Sequence, residues 1–330
     1  MKARRWKLLV VCLSTLVLAA AIFYLISPSA FMKQFSPRPE SQRLIISGGA
    51  GRGHILDGGG GWINEGRLTE IVIQSEWKDG RWERPDGVVI RNGKLRGSIR
   101  VIGLGRNGEA EGVRESSTRL GHTGRAREAA PWGVVISHLE IVAERAMPIY
   151  LAPGTTEATI EDCVFTGWSV AGAIYLDAES GNHTIRNNDF AVKCYREVIC
   201  VDGSAKNRIE GNRFERIDHG GIYLYRNCGE GGTVRHQTPR ENIIRDNDFA
   251  LSTLGFRDYA IWLGSRNGRR TYCHLDDGYP FGSSLDNRDF ANDNVVAENR
   301  FTPPGARSVR DDGEGNVIDG FSRPDERPAP

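Results

Sequence analysis

From residue 90 onward, apolar and polar positions alternate in short runs, and one pattern returns: Ile or Val, two residues, Asn, one residue, Phe. It reads Ile185…Asn188…Phe190, Ile209…Asn212…Phe214, Ile244…Asn247…Phe249 and Val296…Asn299…Phe301. Ile160…Cys163…Phe165, Ile136…Leu139…Ile141 and Ile90…Gly93…Leu95 are substituted versions. After most copies comes a second alternating run: Ile149-Tyr-Leu151, Ile174-Tyr-Leu176, Ile199-Cys-Val201, Ile222-Tyr-Leu224 and Ile261-Trp-Leu263. Period-two runs bounded by Gly, Asn and Asp predict β-strands. The spacing from Ile141 to Phe165, Phe190 and Phe214 is 24, 25 and 24 residues, then 35 and 52 to the next two Phe, with most of the excess after the second strand.

A constant period near two dozen residues means that each unit stacks on its neighbour and buries a shared core. Leucine-rich repeats have a similar period, but the anchors here are Phe and Ile, and no helical stretch fits between them. A β-sandwich is the competing solution and requires no fixed repeat. The predicted fold is therefore all-β, a parallel stack of about seven coils of ~24 residues, with Asn188, Asn212 and Asn247 forming an amide ladder at one turn. The segments HTIRNNDF (183–190), NRIEGNRF (207–214) and ENIIRDNDF (241–249) carry a resemblance to the pectate-lyase-like superfamily of right-handed parallel β-helices, including its carbohydrate-binding and NosD-like repeat proteins, over about residues 85–302. The resemblance implies the fold; the same repeat serves enzymes, adhesins and scaffolds.

The N-terminus has a different pattern. MKARRWK carries four positive side chains, and Leu8–Ile26 follow without a charge. Nineteen such residues are long enough to cross a bilayer core of about 30 Å, and longer than the roughly 7–15-residue apolar stretch of a cleaved leader, although Ser27-Pro28-Ser29-Ala30 could serve as a cleavage site. The basic flank sets the orientation. The expected organisation is a cytoplasmic flank (1–7), a single-pass transmembrane signal-anchor (8–26), a linker (27–61), the β-helix (62–321) and a disordered Pro-rich tail (322–330), with the bulk in the periplasm of a bacterium. GGAGRGH at 48–54 lacks the Gly-Lys-Ser/Thr and the strand–helix frame of a phosphate loop, so it reads as linker.

Composition changes this picture little. A net charge of +1 gives no pointer to nucleic acid, and 40 Gly against 3 Met suits a turn-rich β protein without copper-binding tracts. Five cysteines follow the anchor, and in an oxidising compartment disulfides persist. Cys228 and Cys273 sit in neighbouring insertions and are the candidate bridge; no compact spacing argues for a metal site.

Candidate chemistry follows from the strand register. With Ile174 and Leu176 inward, the residue between them faces out, which aligns Tyr150, Tyr175, Cys200, Tyr223 and Trp262. The next outward positions align Ala152, Asp177, Asp202, Tyr225 and Gly264. Insertions at 105–131, 226–240 and 264–292 all leave from this edge and bring arginines, among them Arg106, Arg226, Arg235 and Arg266. A groove for a linear anionic glycan would stack sugars on Tyr150, Tyr175, Tyr223, Tyr225 and Trp262 and pair carboxylates with Arg266. The same aromatics could instead be buried by the insertions as a satellite core. Asp177 and Asp202, one coil apart, are the acid–base candidates. Two such carboxylates could also hold Ca²⁺, or simply form turns. His219 could abstract a proton beside a uronate carboxylate, with Arg226 alongside. Where the alginate epimerases of this fold carry Asp-Pro-His-Asp, this chain has Ile217-Asp-His-Gly220. The expected function is binding or processing of an anionic polysaccharide, by a lyase, C5-epimerase or hydrolase reaction if it is an enzyme, in envelope or exopolysaccharide assembly. No cofactor beyond Ca²⁺ and no nucleic-acid partner is expected. The alternative is a non-catalytic scaffold offering its edge to partner proteins.

Overall fold

The computed structural model describes residues 40–319 except 107, 108 and 306. The proposed transmembrane segment (8–26) and the tail (322–330) lie outside the described residues. Among those described, no helix is long and apolar enough to cross a membrane.

Every repeat becomes one coil of a parallel solenoid. On one face, 42–47, 69–74, the end of 89–102, 149–151, 174–176, 199–202, 222–225, 261–263 and 309–311 pair in that order, giving a nine-strand parallel sheet. A second stack begins with 55–57 and 89–91 and runs through 184–186 and 243–245 to 317–318. A third carries the Phe anchors. Between the second and third stacks one residue per coil takes a left-handed conformation, at Asn92, His138, Asp162, Asn187, Gly211, Asp246 and Glu298. That single residue bends the chain without breaking the stacking, and Asn and Asp tolerate this region better than most residues.

Stacking places like on like. Phe165, Phe190, Phe214, Phe249 and Phe301 form one pile with ring centroids 4.4–5.2 Å apart. The expected amide ladder is present. Asn188 donates to Asn212, Asn212 to Asn247 and Asn247 to Asn299, each at 2.9 Å, and all four are buried. A second ladder runs at the preceding turn through Asn207, Asn242, Asn294 and Asn316, at 2.8–3.0 Å. His183 occupies its first place, where the backbone N–H donates to Asn207 at 3.0 Å.

Two expectations need correction. Residues 42–57, read as linker, are the first strands: Leu44 and Ile46 align with Ile71 and Ile73, and Leu56 with Ile90. They lack the Asn and Phe of the repeat and lie among glycines, so periodicity alone did not reveal them. With these and the final strands 309–311 and 317–318, the described residues form nine coils rather than about seven. The insertion at 105–131, in a chain expected to be all-β, contains two short helices, α1 (Glu111–Ser117) and α2 (His122–Ala129).

Each ladder amide serves two neighbours, so replacing one leaves buried partners unmatched. Asn212→Ala is expected to destabilise the fold by about 2–4 kcal/mol, from about 1–3 kcal/mol per unpaired buried group. Exposed Arg213→Ala should stay within about 0.5 kcal/mol. Urea denaturation followed by circular dichroism compares the two.

Candidate functional site

The register expected for the outward column is present and extends further. Ile45, Val72, Arg100, Tyr150, Tyr175, Cys200, Tyr223, Trp262 and Arg310 lie in line, one per coil. Asp202 aligns with Tyr225 in the next outward column. Tyr150 and Tyr175 each lean one coil onward to an aspartate, whereas the Tyr223 hydroxyl accepts the backbone N–H of Tyr259 at 3.0 Å. The Tyr150 hydroxyl donates to Asp177 at 2.5 Å, and Tyr175 donates to Asp202 at 2.7 Å. Asp202 also accepts the backbone N–H and the side-chain amide of Asn227, at 2.7 and 2.8 Å. Burial, reinforced by the neighbouring carboxylates, pushes both phenols well above their ordinary pKa, so they stay protonated as donors. Each aspartate has its own donors, Tyr150 and the Ala178 N–H for Asp177 and Tyr175 and Asn227 for Asp202.

The insertions fold back over this column, and Tyr150, Tyr223, Tyr225, Asp177 and Asp202 are buried. Tyr175 and Trp262 remain half-buried. Arg106 lies 4.9 Å from the Tyr150 ring and Arg266 lies 3.4 Å from the Tyr225 ring. Cys228 and Cys273 form the disulfide that ties the second insertion to the third. Asp289 strengthens this tie by accepting the backbone N–H groups of Arg226, Arg266 and Asn267, at 2.6–3.1 Å. The Arg226 guanidinium donates to the carbonyl of Arg288 at 2.8 Å and to that of Asp286, so it fastens the roof rather than facing a ligand.

Beneath the roof, Glu197 lies 3.5 Å from Arg266 and 3.4 Å from Arg196. Burial acts to raise the Glu197 pKa, but the two guanidinium groups outweigh it and hold the carboxyl at about 2. Arg235, also fully buried, reaches Glu230 at 3.2 Å.

His219 is not brought into this assembly. It precedes strand 222–225, whereas Asp202 aligns with the last residue of that strand. Its Nδ1 is 3.8 Å from Asp258, and its ring lies 6.4 Å from that of Tyr195. Among the described residues no group of three or more His, Cys, Asp or Glu could hold a metal ion.

His219 instead belongs to an open corner beside the roofed column. Trp168 lies 6.3 Å from Tyr195, which is followed by His219, and Tyr259 lies 5.2 Å from Trp262. All five rings are half-buried. Lys193 sits 5.0 Å from the Tyr195 ring, and Arg310 sits 4.5 Å from that of Trp262. Of these rings the sequence pointed to Trp262 and His219 only. Trp168 follows its Phe anchor by three residues and Tyr195 follows its own by five, so a fixed-offset search does not align them.

A family description, right-handed β-helix region, matches residues 132–301. No curated protein matches the chain. Among solved structures, an alginate lyase from Paenibacillus sp. str. FPU-7 is similar at 9% identity, covering 89% of this chain and 96% of its own, with a TM-score of 0.28. A likeness of that degree carries no argument about function.

Two outcomes test the roof. Cys228→Ser is expected to speed hydrogen exchange across 226–240 and 264–292 while leaving the Phe strands protected; equal rates in both forms would mean that the disulfide does not hold it. The Glu197 pKa is depressed in the fold, so its contribution to stability is present above the ordinary glutamate range near 4.5 and lost as pH falls towards about 2. Glu197→Gln should remove that acid sensitivity and, by leaving buried guanidinium groups unpaired, cost about 3–5 kcal/mol at neutral pH. Thermal melts across the pH range measure both effects.

Proposed function

The chain belongs to the right-handed β-helix family, and from that architecture we propose that it binds an anionic polysaccharide along its open corner without transforming it. The observation that carries this reading is two sets of half-exposed rings, Trp168, Tyr195 and His219 on three successive coils and Tyr259 with Trp262 on the next. Asp258 lies 3.8 Å from His219, with Lys193 beside Tyr195 and Arg310 beside Trp262. Rings carried by successive coils suit a chain of pyranose rings, and cations beside them suit uronate carboxylates. Segment 8–26 would anchor the protein in the bacterial inner membrane, with the solenoid in the periplasm, where envelope or exopolysaccharide chains pass.

Binding is favoured over lysis, epimerisation or hydrolysis because the proposed reactive groups are not brought together. Tyr150 holds Asp177, Tyr175 and Asn227 hold Asp202, and Arg226 fastens the roof. His219 lines the binding corner itself, apart from those three groups.

Equilibrium binding of the full-length protein in nanodiscs to defined uronate oligosaccharides provides the test. Trp168→Ala combined with Tyr195→Ala should weaken binding roughly tenfold or more, since each tenfold is about 1.4 kcal/mol. Asp202→Asn, if folded by circular dichroism, should bind as the wild type does. Unchanged affinity in the ring variant would sink the corner reading. Shortened, unsaturated or epimerised products made by the wild type and absent with Asp202→Asn would instead establish a processing enzyme.

A further inference from the structure

The first coil shows apolar side chains to solvent in each of its outward columns. Three outward columns begin there, and all three begin apolar: Ile45, Ile55 and Trp62 are 57%, 54% and 46% exposed. In the coils that follow, the same columns are mixed. Ile45 is followed by buried Val72 and then Arg100. Ile55 is followed by Val89 and Val135, then Thr159, Thr184 and Arg208, and becomes apolar again at Ile243, Val295 and Val317. Trp62 is followed by Lys94, Glu140, Val164 and Asp189. Beside this rim a two-stranded hairpin, 76–78 with 81–83, carries Trp77 opposite Trp82, and Trp77 is 60% exposed.

The end of the solenoid is also open. Among the described residues, strand 42–47 pairs only with 69–74, and 55–57 only with 89–91, so each leaves one edge of N–H and C=O groups unmatched. Leu44, Ile46 and Leu56, which face the core, are only partly covered.

An apolar rim on all three faces of one end, together with an unpaired backbone edge and projecting tryptophans, suits a planar boundary across the solenoid axis. We propose that the first coil and the 76–83 hairpin dock on the surface of the membrane. The proposal rests on the reading of Leu8–Ile26 as an anchor: only thirteen residues, 27–39, separate that segment from Glu40. Fully extended, such a tether reaches about 45 Å, so it delivers this coil to the interface at high local concentration. Tryptophan is the residue most at home at the headgroup level, and headgroups supply partners for the unmatched strand edges. The polysaccharide corner, built by later coils, would then stand away from the bilayer.

Full-length protein is reconstituted into vesicles of phosphatidylethanolamine and phosphatidylglycerol whose acyl chains are brominated, and quenching of tryptophan emission is measured. Quenching should drop by more than half in the Trp62→Phe/Trp77→Phe variant, and also in Ile45→Asp/Ile55→Asp, which keeps every tryptophan. Equal fractional quenching in wild type and both variants would overturn the proposal. A first coil protected from hydrogen exchange without such quenching would overturn it too, in favour of an end-to-end second copy or coverage by residues 27–39. Alkaline carbonate extraction tests the anchor separately: release of the protein defeats the anchor reading, whereas the quenching difference at neutral pH still decides the docking.

Discussion

The fold depends on one constraint: each coil hydrogen-bonds the next in a fixed parallel register, so a side chain always meets its counterpart one coil on. A buried amide can tolerate that arrangement because asparagine both donates and accepts, and an endless row of asparagines satisfies itself. Asn188, Asn212, Asn247 and Asn299 do so at one turn, and Asn207, Asn242, Asn294 and Asn316 at another. The Phe pile runs two residues beyond the first of these ladders, and any slip of register would break both ladders and the pile together. The same constraint acts outside the core, setting Tyr150 beside Asp177 and Tyr175 beside Asp202.

Much of this was legible in the chain because stacking imposes periodicity. The Asn-x-Phe spacing revealed one ladder, and the Ile-Tyr-Leu runs gave the outward column correctly down to Asp202 and Tyr225. The second ladder also leaves a trace, an Asn two residues before each Ile or Val anchor, but histidine begins it and the pattern is easily passed over. The first and last coils carry no copy of that spacing, for a different reason. An end coil has a neighbour on one side only, so nothing requires it to carry the Asn or Phe that later coils share.

The site was less legible, since a roof is a long-range matter. That three insertions leave from one edge could be read from spacing, and so could a bridge between Cys228 and Cys273. How the insertions lie could not. Asp289 collecting three backbone N–H groups, and Arg226 turning to the carbonyls of 286 and 288, are contacts between segments with no shared period. Their effect is to bury most of the column that alternation alone marks as outward. Of the rings that stay accessible, Trp168 lies near the end of strand 164–169, and Tyr195 and Tyr259 sit in connections whose lengths vary from coil to coil. Regularity builds the core of this protein, and its open chemistry lies where the regularity lapses.

The central claim is therefore spatial: ligand meets the open corner, and the roofed column is structural. Hydrogen–deuterium exchange of the full-length protein with and without a saturating uronate oligosaccharide tests it most directly. Slowed exchange confined to about residues 166–170, 193–197, 216–220 and 257–262 is the expected result. Ligand-dependent changes concentrated in 226–240 and 264–292, with the corner unaltered, would contradict it and return function to the column beneath the roof.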